Sequence, residues 1–463
     1  MSIVGAIMVP HPPIILPEVG YGEEIKIAET TAAYKKAAAL VAALQPETII
    51  LASPHSVMYS DYFHVSPGKA AKGNMRRFRA PQVKIQVEYD AEFVSELSRL
   101  CEDSGIPAGT LGERSAELDH GTMIPLYFVN QCYTKYSLVR IGLSGLPLSE
   151  HYRFGQMIQK AAEKLQRRAV LIGSGDLSHK LREEGPYGFV KEGPEYDERI
   201  MDVMGRAAFD ELLDFDESFC DKAAECGHRS FCILAGALDG LKLETERLSH
   251  EDTFGVGYGI CTYKVTGEDE SRKLLKKWEE RRKRILLEKR EKEDAYVRLA
   301  RATIHSWIQN KTREPLPKEL PKEMLDQRAG VFVSLHKDDR LRGCIGTIEP
   351  VRSCVAEEIQ ENAISAATRD PRFSPVSVNE LEKLEINVDV LTAPEEISSK
   401  SELDVKKYGV IVSKGFRRGL LLPNLDGVDT VEDQIAIALK KAGISDREKD
   451  FEMERFEVVR HEA

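Results

Sequence analysis

The stretch IVGAIMVPHPP at residues 3–13 indicates how the first part of this chain folds. Its apolar run predicts a buried strand, which ends at the prolines on either side of His11. The arrangement returns at residues 47–55, ETIILASPH, where a second apolar run leads into His55. Two buried strands that each lead into a histidine predict two imidazoles at one edge of a sheet.

The region around these two runs alternates predicted strands with predicted helices. Such alternation is typical of an α/β fold, in which helices cover both faces of the sheet. Ligands in these sheets gather outside the strand ends, so we expect the loop GSGDLSH at 173–179 to lie beside His11 and His55. The other predicted segments are helices at 23–44, 92–101 and 151–165, and strands at 137–143, 169–172 and 255–265.

Length and composition limit the class of protein. The 463 residues exceed what one hydrophobic core usually organises, so we expect more than one domain. The net charge of −11 argues against a nucleic-acid partner, and no apolar run is long enough for a membrane span. The eight cysteines include no CxxC pair, which is typical of reduced thiols. A cytoplasmic protein without a membrane or nucleic-acid partner is the expectation.

The chain divides by composition into three parts. Residues 1–267 are predicted to form the α/β domain, and residues 268–291 are rich in opposite charges at helical spacing, which predicts a charged linker helix. Residues 292–463 mix a predicted helix at 296–309 with paired strands at 330–335 and 341–348. The second domain is therefore expected to be α+β.

Four of the eleven histidines stand in loops that follow or interrupt apolar segments. Their contexts are PHPP at His11, SPH at His55, LDHG at His120 and SGDLSH at His179. Several imidazoles at converging loop ends are the typical ligands of a divalent metal ion. The remaining histidines lack such a context, except that His228 stands close to two further candidate ligands.

In order, spacing and context, these four histidines resemble those of the class III extradiol dioxygenases, the superfamily of the protocatechuate 4,5-dioxygenase β subunit, over residues 1–265. The resemblance implies Fe(II) on His11 and His55, with Zn or Cu as the alternative metals. It also implies that His120 lies beside the substrate and that His179 is the acid and base.

The third ligand in that superfamily is a glutamate, and Glu225 in AAECGHRS at 223–230 is our candidate. The Memo-like branch carries a cysteine in a Cys-Gly motif of this region, which Cys226 matches equally well. Two imidazoles and a carboxylate leave open positions on Fe(II) for a catecholate and dioxygen. A thiolate would instead suit copper and other soft-metal chemistry.

The second domain resembles the AMMECR family over residues 292–460. The motif LRGCIGTIEP at 341–350 carries the resemblance, supported by AATRDPRF at 366–373. Cys344 is expected to pack as part of a structural motif, and the alternative is that Arg342, Cys344 and Arg369 form a pocket for an anion. Memo-like and AMMECR-like proteins recur with a radical S-adenosylmethionine protein, which the resemblance implies as a partner.

The leading hypothesis is therefore a non-haem Fe(II) extradiol dioxygenase that cleaves the ring of a catechol or aminophenol, a small aromatic substrate. One alternative is an accessory protein that binds iron or copper for a radical enzyme. Another is a metal-dependent hydrolase or lyase that does not use dioxygen. The superfamily often forms dimers, so a homo-oligomer is a further expectation.

Overall fold

The computed structural model describes residues 2–425, 427–448 and 450–463 of the chain. These residues form two compact units, Met1–Glu280 and Arg281–Ala463. The division falls within the segment 268–291 that the composition predicts to be a linker. The first unit is α/β, and the predicted fold class is confirmed.

The first unit is built around a six-stranded sheet in the order β7-β2-β8-β1-β10-β9. β7, β2, β8 and β1 are parallel, whereas β10 and β9 are antiparallel to their neighbours. Two short pairs, β3 with β6 and β4 with β5, lie outside it. The strands are β1 (Ile3–Val9), β2 (Thr48–Ser53), β3 (Phe63–His64), β4 (Ala70–Met75), β5 (Ala80–Glu88), β6 (Ala108–Gly109), β7 (Ser137–Gly142), β8 (Ala169–Ser174), β9 (Leu241–Glu251) and β10 (Tyr258–Glu268).

The central strands are buried on both faces, which explains their continuous apolar runs. Side chains alternate along a strand, so Ile49 and Leu51 of β2 enter one hydrophobic cluster while Ile50 and Ala52 enter the other. Helices cover each cluster. They are α1 (Pro17–Gly20), α2 (Ala28–Leu44), α3 (Ala91–Asp103), α4 (His120–Val129), α5 (Leu148–Leu165), α6 (Glu192–Arg206), α7 (Glu217–Ala223), α8 (His228–Ala237) and α9 (Leu274–Lys292), of which α9 crosses the boundary between the units.

Helices α5 and α8 pack with their backbones in close contact. A β-carbon at Gly236 of α8 would lie 1.9 Å from the Tyr152 oxygen of α5, and one at Gly155 would lie 2.2 Å from the Ile233 oxygen. Only glycine at both positions allows this separation. The contact fixes α8 against α5, and α8 begins at His228, two residues after Cys226.

The second unit contains two four-stranded sheets, ordered β12-β11-β13-β18 and β14-β17-β15-β16. Its helices are α10 (Ala295–Asn310), α11 (Lys322–Asp326), α12 (Val355–Thr368) and α13 (Val431–Ala442). Its strands are β11 (Val331–Lys337), β12 (Arg340–Gly346), β13 (Glu385–Leu391), β14 (Glu395–Ile397), β15 (Gly409–Lys414), β16 (Arg417–Leu421), β17 (Glu452–Phe456) and β18 (Val458–His461).

Helix and strand boundaries are close to the sequence predictions where the apolar pattern is strong. The hairpin β4–β5, the edge strand β9 and the helix α6 were not predicted. Most residues of β9 and α6 are polar or exposed, whereas Val83, Ile85 and Val87 of β5 alternate with exposed residues and were an available signal. Within the described residues, no helix has both the length and the apolarity that a membrane span requires.

The α5–α8 contact predicts that a substitution at Gly236 destabilises the protein, whereas a substitution at a glycine outside the contact does not. Gly236→Ala should lower the free energy of unfolding by about 1–3 kcal/mol, because the methyl group would force the two backbones apart. The control is Gly205→Ala near the end of α6, where the new β-carbon meets no atom closer than 3.6 Å. That variant should gain about 0.5–1 kcal/mol from its helical position. Equal effects in urea unfolding would contradict the assigned packing.

Candidate metal centre

Three loops meet where the parallel strands end. β1 leads into His11, β2 into His55 and β8 into the loop that contains Asp176. Because β8 lies between β1 and β2 and runs parallel to both, the carboxyl ends of the three strands are adjacent. The predicted convergence of His11, His55 and the 173–179 loop follows from this topology.

The ligand atoms of His11, His55 and Cys226 lie within 4.8 Å of one another. The two Nε2 atoms are 3.0 Å apart, and Cys226 Sγ is 3.6 Å from His11 Nε2. An ion with bonds of about 2.0–2.3 Å to nitrogen and sulfur would separate its donors by roughly 3.0–3.6 Å. The three side chains therefore fit a single transition-metal ion.

Cys226 reaches the histidines because two glycine backbones touch. A β-carbon at Gly175 would lie only 2.0 Å from the Cα of Gly227. Two hydrogen bonds join the same loops. Asp176 N donates to Cys226 Sγ at 3.2 Å, and Cys226 N donates to the Asp176 carbonyl at 3.3 Å. An N–H group that points at the sulfur stabilises it as a thiolate.

Glu225 has a different role from the one the resemblance implied. Its Oε2 accepts a hydrogen bond from His228 N at 2.6 Å, at the beginning of α8. Burial raises the pKa of this carboxyl to about 7. The structure thus brings Cys226, and not Glu225, to the two histidines, because the neighbouring side chain caps the helix instead.

Hydrogen bonds around His11 select its tautomer. Ser174 Oγ donates to the Gly121 carbonyl at 2.6 Å, so it accepts from His11 Nδ1 at 2.9 Å. The proton of the ring is then on Nδ1, and the lone pair of Nε2 faces the candidate site. His11 N also donates to Asp176 Oδ1 at 2.7 Å.

The loop that carries His55 is held by Asp119. Ser53 Oγ donates to Asp119 Oδ1 at 2.6 Å and accepts from His55 N at 3.2 Å. Gly121 lies against this loop, since a β-carbon there would be 2.5 Å from Ser53 Oγ. Asp119 also caps α4 through Thr122 N, so one carboxylate orders both His55 and His120.

Because they are buried, these imidazoles are neutral and can each offer a nitrogen lone pair to a metal ion. Burial, followed by the adjacent His55 ring, lowers the pKa of His11 to about 3. The same two causes lower the pKa of His120 to about 3. Burial also raises the pKa of the Cys226 thiol well above its ordinary value. At pH 7 the histidines need lose no proton to bind a cation, whereas the thiol must lose one.

His120 borders a cavity next to this site. Its ring centroid lies 4.0 Å from that of His55 and 5.1 Å from that of Phe78. The cavity has a volume of about 270 Å³, and Arg77 and Asp119 also line it. This volume would hold a small molecule beside the candidate ligands.

His179 stands three residues after Asp176 in the loop that follows β8. Its Nδ1 is buried and has no hydrogen-bond partner in the described part of the chain. Its ring centroid is 5.3 Å from that of Tyr187, and a charge on His179 would lower the pKa of His11. Asp197 orders the loop by accepting from Ser178 N at 2.8 Å. The rings of His11, His55 and His120 therefore form one group, with centroids 4.0 Å, 4.7 Å and 5.4 Å apart, whereas the role of His179 stays a prediction.

Several supporting residues were not predicted from the sequence. Ser174 and Asp176 stand in the quoted loop GSGDLSH, and Asp119 precedes His120, so their positions beside the histidines were the available signal. The contact between Gly175 and Gly227 left no signal, because it joins positions distant in the chain.

The anion pocket considered for the second unit is not formed by the three residues named for it. Arg342 pairs with Glu380 and Arg369 pairs with Glu361. Cys344 Sγ accepts from Ser334 Oγ at 3.2 Å. The arrangement supports the structural interpretation of this motif.

Comparison with known proteins assigns each unit separately. Residues 5–261 match the family model of the catalytic LigB subunit of aromatic ring-opening dioxygenase, and residues 297–461 match that of AMMECR1. A protein of Clostridium acetobutylicum is 43% identical over 469 residues, covering 100% of this chain and 99% of its own. One from Thermotoga maritima is 52% identical over 171 residues, covering 36% and 98%. A Pyrococcus horikoshii crystal structure is 33% identical over 36% of this chain and 88% of its own, with a TM-score of 0.34.

The geometry predicts which residue binds through sulfur. Protein loaded with Co(II) should show a sulfur-to-cobalt charge-transfer band in the near ultraviolet, because Cys226 Sγ faces His11 Nε2. The band should vanish in Cys226→Ser. It should persist in Glu225→Gln, whose amide oxygen can still cap His228 N. A band lost in Glu225→Gln but kept in Cys226→Ser would reverse the assignment.

The pKa directions predict proton release on metal binding. His11 is already neutral at pH 7, whereas the raised pKa of Cys226 keeps its thiol protonated. Binding should release about one proton, and affinity should fall as pH decreases. Calorimetry in buffers of different protonation enthalpy measures this number, which should approach zero for Cys226→Ser. Equal release by both proteins would contradict a thiolate ligand.

Proposed function

We propose that this chain is a metal-binding accessory protein for iron or copper. It belongs to the family of the catalytic LigB subunit of aromatic ring-opening dioxygenase and also carries an AMMECR1 domain. His11, His55 and Cys226 would hold the ion. The observation that carries the proposal is the position of Cys226 Sγ, 3.6 Å from His11 Nε2.

The third donor distinguishes this proposal from ring cleavage. Oxygenases that use Fe(II) commonly bind it with two histidines and one carboxylate, whereas thiolate ligands select copper, zinc and iron–sulfur chemistry. Here the carboxylate of Glu225 caps α8 and the thiol of its neighbour faces the histidines. The donor set therefore favours metal handling over oxygen activation.

Ring cleavage of a catechol or aminophenol is the second candidate. The cavity beside His120 supports it, since Phe78 provides an aromatic wall there. The bound metal would supply Lewis acidity to a phenol oxygen and redox chemistry. His120 would orient the substrate, and the buried Nδ1 of His179, which has no partner among the described residues, would hold or deliver a proton. A hydrolase or lyase would use the same groups without dioxygen.

Metal analysis and oxygen uptake separate the two candidates. Protein purified without added metal should contain iron or copper, and Cys226→Ser should lose most of it because one of three donors is removed. Iron-loaded protein should consume no dioxygen with a panel of catechols and aminophenols. The proposal fails if uptake and ring-cleavage absorbance appear. In that event His179→Ala should keep its metal but lose turnover, as expected of an acid and base.

A radical S-adenosylmethionine protein as partner and a second copy of this chain both stay predictions. The metal function requires neither for binding the ion. Each is testable by sizing the purified chain alone and after mixing with the radical enzyme.

A further inference from the structure

The hairpin β4–β5 carries an unusual concentration of positive charge for a chain with a net charge of −11. Glu88 is the only acidic residue between positions 69 and 88. The six cationic side chains are all exposed, and within the described residues none has a carboxylate within ion-pair distance. They are Lys69, Lys72, Arg76, Arg77, Arg79 and Lys84, and we call them the basic hairpin.

The basic hairpin borders the cavity beside the metal centre. Lys72 N donates to the Ala116 carbonyl and Leu118 N donates to the Lys72 carbonyl, both at 3.0 Å, so β4 is joined to the segment before α4. Arg77 and Phe78 of the turn line the cavity together with His55 and His120. Any molecule bound along the hairpin would therefore reach the mouth of that cavity.

Exposed apolar side chains occur in the segments that follow several strands of the first unit. Every large hydrophobic residue found exposed among those described in this unit lies between β1 and α2, or in the segments that follow β2, β6 and β8. Singly exposed hydrophobic residues are ordinary, but several of them in the segments that also carry the candidate metal ligands favour a protein-binding surface. These residues are Tyr21, Ile25, Met58, Leu111, Tyr187 and Phe189.

We propose that the basic hairpin and the exposed apolar residues around it form a docking surface for an acidic protein segment that reaches the metal centre. Charge complementarity selects the partner, since the hairpin's cations lack internal carboxylates. Apolar side chains such as Met58 and Leu111 would contact hydrophobic residues of that segment. This inference rests on the proposed metal function, because it describes how a metal donor or acceptor would approach.

An acidic protein fits this surface better than a nucleic acid. The basic hairpin spans only residues 69–84, and the net negative charge of the chain would repel a polyanion that extends far beyond it. Exposed methionine and leucine contribute little to phosphate binding, which relies on charged and polar donors. An acidic protein partner and a nucleic acid partner predict different effects of removing the exposed apolar side chains.

The test uses the full chain loaded with Co(II) and a fluorescent peptide of alternating glutamate and leucine. Fluorescence anisotropy should show binding that weakens with salt, and neutralising Lys72, Arg76, Arg79 and Lys84 to Gln should reduce affinity at least about tenfold. The matched control neutralises four exposed lysines elsewhere in the unit to Gln, and should bind normally. They are Lys35, Lys36, Lys160 and Lys242.

Three results would overturn the docking surface. The control variant could lose as much affinity as the hairpin variant, which would show that only net charge matters. Met58→Ser with Leu111→Ser could leave peptide affinity unchanged, or single-stranded DNA of equal charge could bind more tightly than the peptide. Cobalt content and spectrum are measured on the same samples. If the wild-type chain does not bind cobalt, the metal function is rejected, independently of the peptide result.

Discussion

The contact between the backbones of Gly175 and Gly227 is the constraint on which the candidate site depends. Sheet topology alone brings His11 and His55 together, since β8 lies between their strands. The third donor comes from a loop fifty residues further along the chain from Asp176. A side chain at Gly175 would place its β-carbon 2.0 Å from the Cα of Gly227 and would keep that loop away. Without the contact, the two imidazoles would lack the third candidate ligand.

The first unit was largely predictable because its strands are apolar on both faces. Such segments remain recognisable whatever surrounds them, and the histidines that follow them could be placed at one edge from topology. The hairpin β4–β5 was missed although Val83, Ile85 and Val87 of β5 alternate with exposed residues, because β4 is short of apolar residues and the turn between the strands carries three arginines. This missed hairpin carries the cations of the surface proposed to bind a partner.

The choice between Glu225 and Cys226 could not be made from the sequence. Both neighbours are suitable ligands, and consecutive residues before a helix point in different directions. The orientation depends on which of them caps α8, and the N–H of His228 is satisfied by Glu225. Helix capping thus decides which donor atom stands beside the two histidines, a sulfur atom and not a carboxylate oxygen.

The hydrogen bond from Ser174 to Gly121 connects the strand end of β8 with the first turn of α4. The same oxygen accepts from the ring of His11, so the imidazole is mechanically linked to a helix that carries His120 at its N-terminus. When an ion fixes the His11 ring, that helix loses freedom of movement as well. Metal binding would therefore reduce the mobility of the residues that line the cavity, without any change of fold.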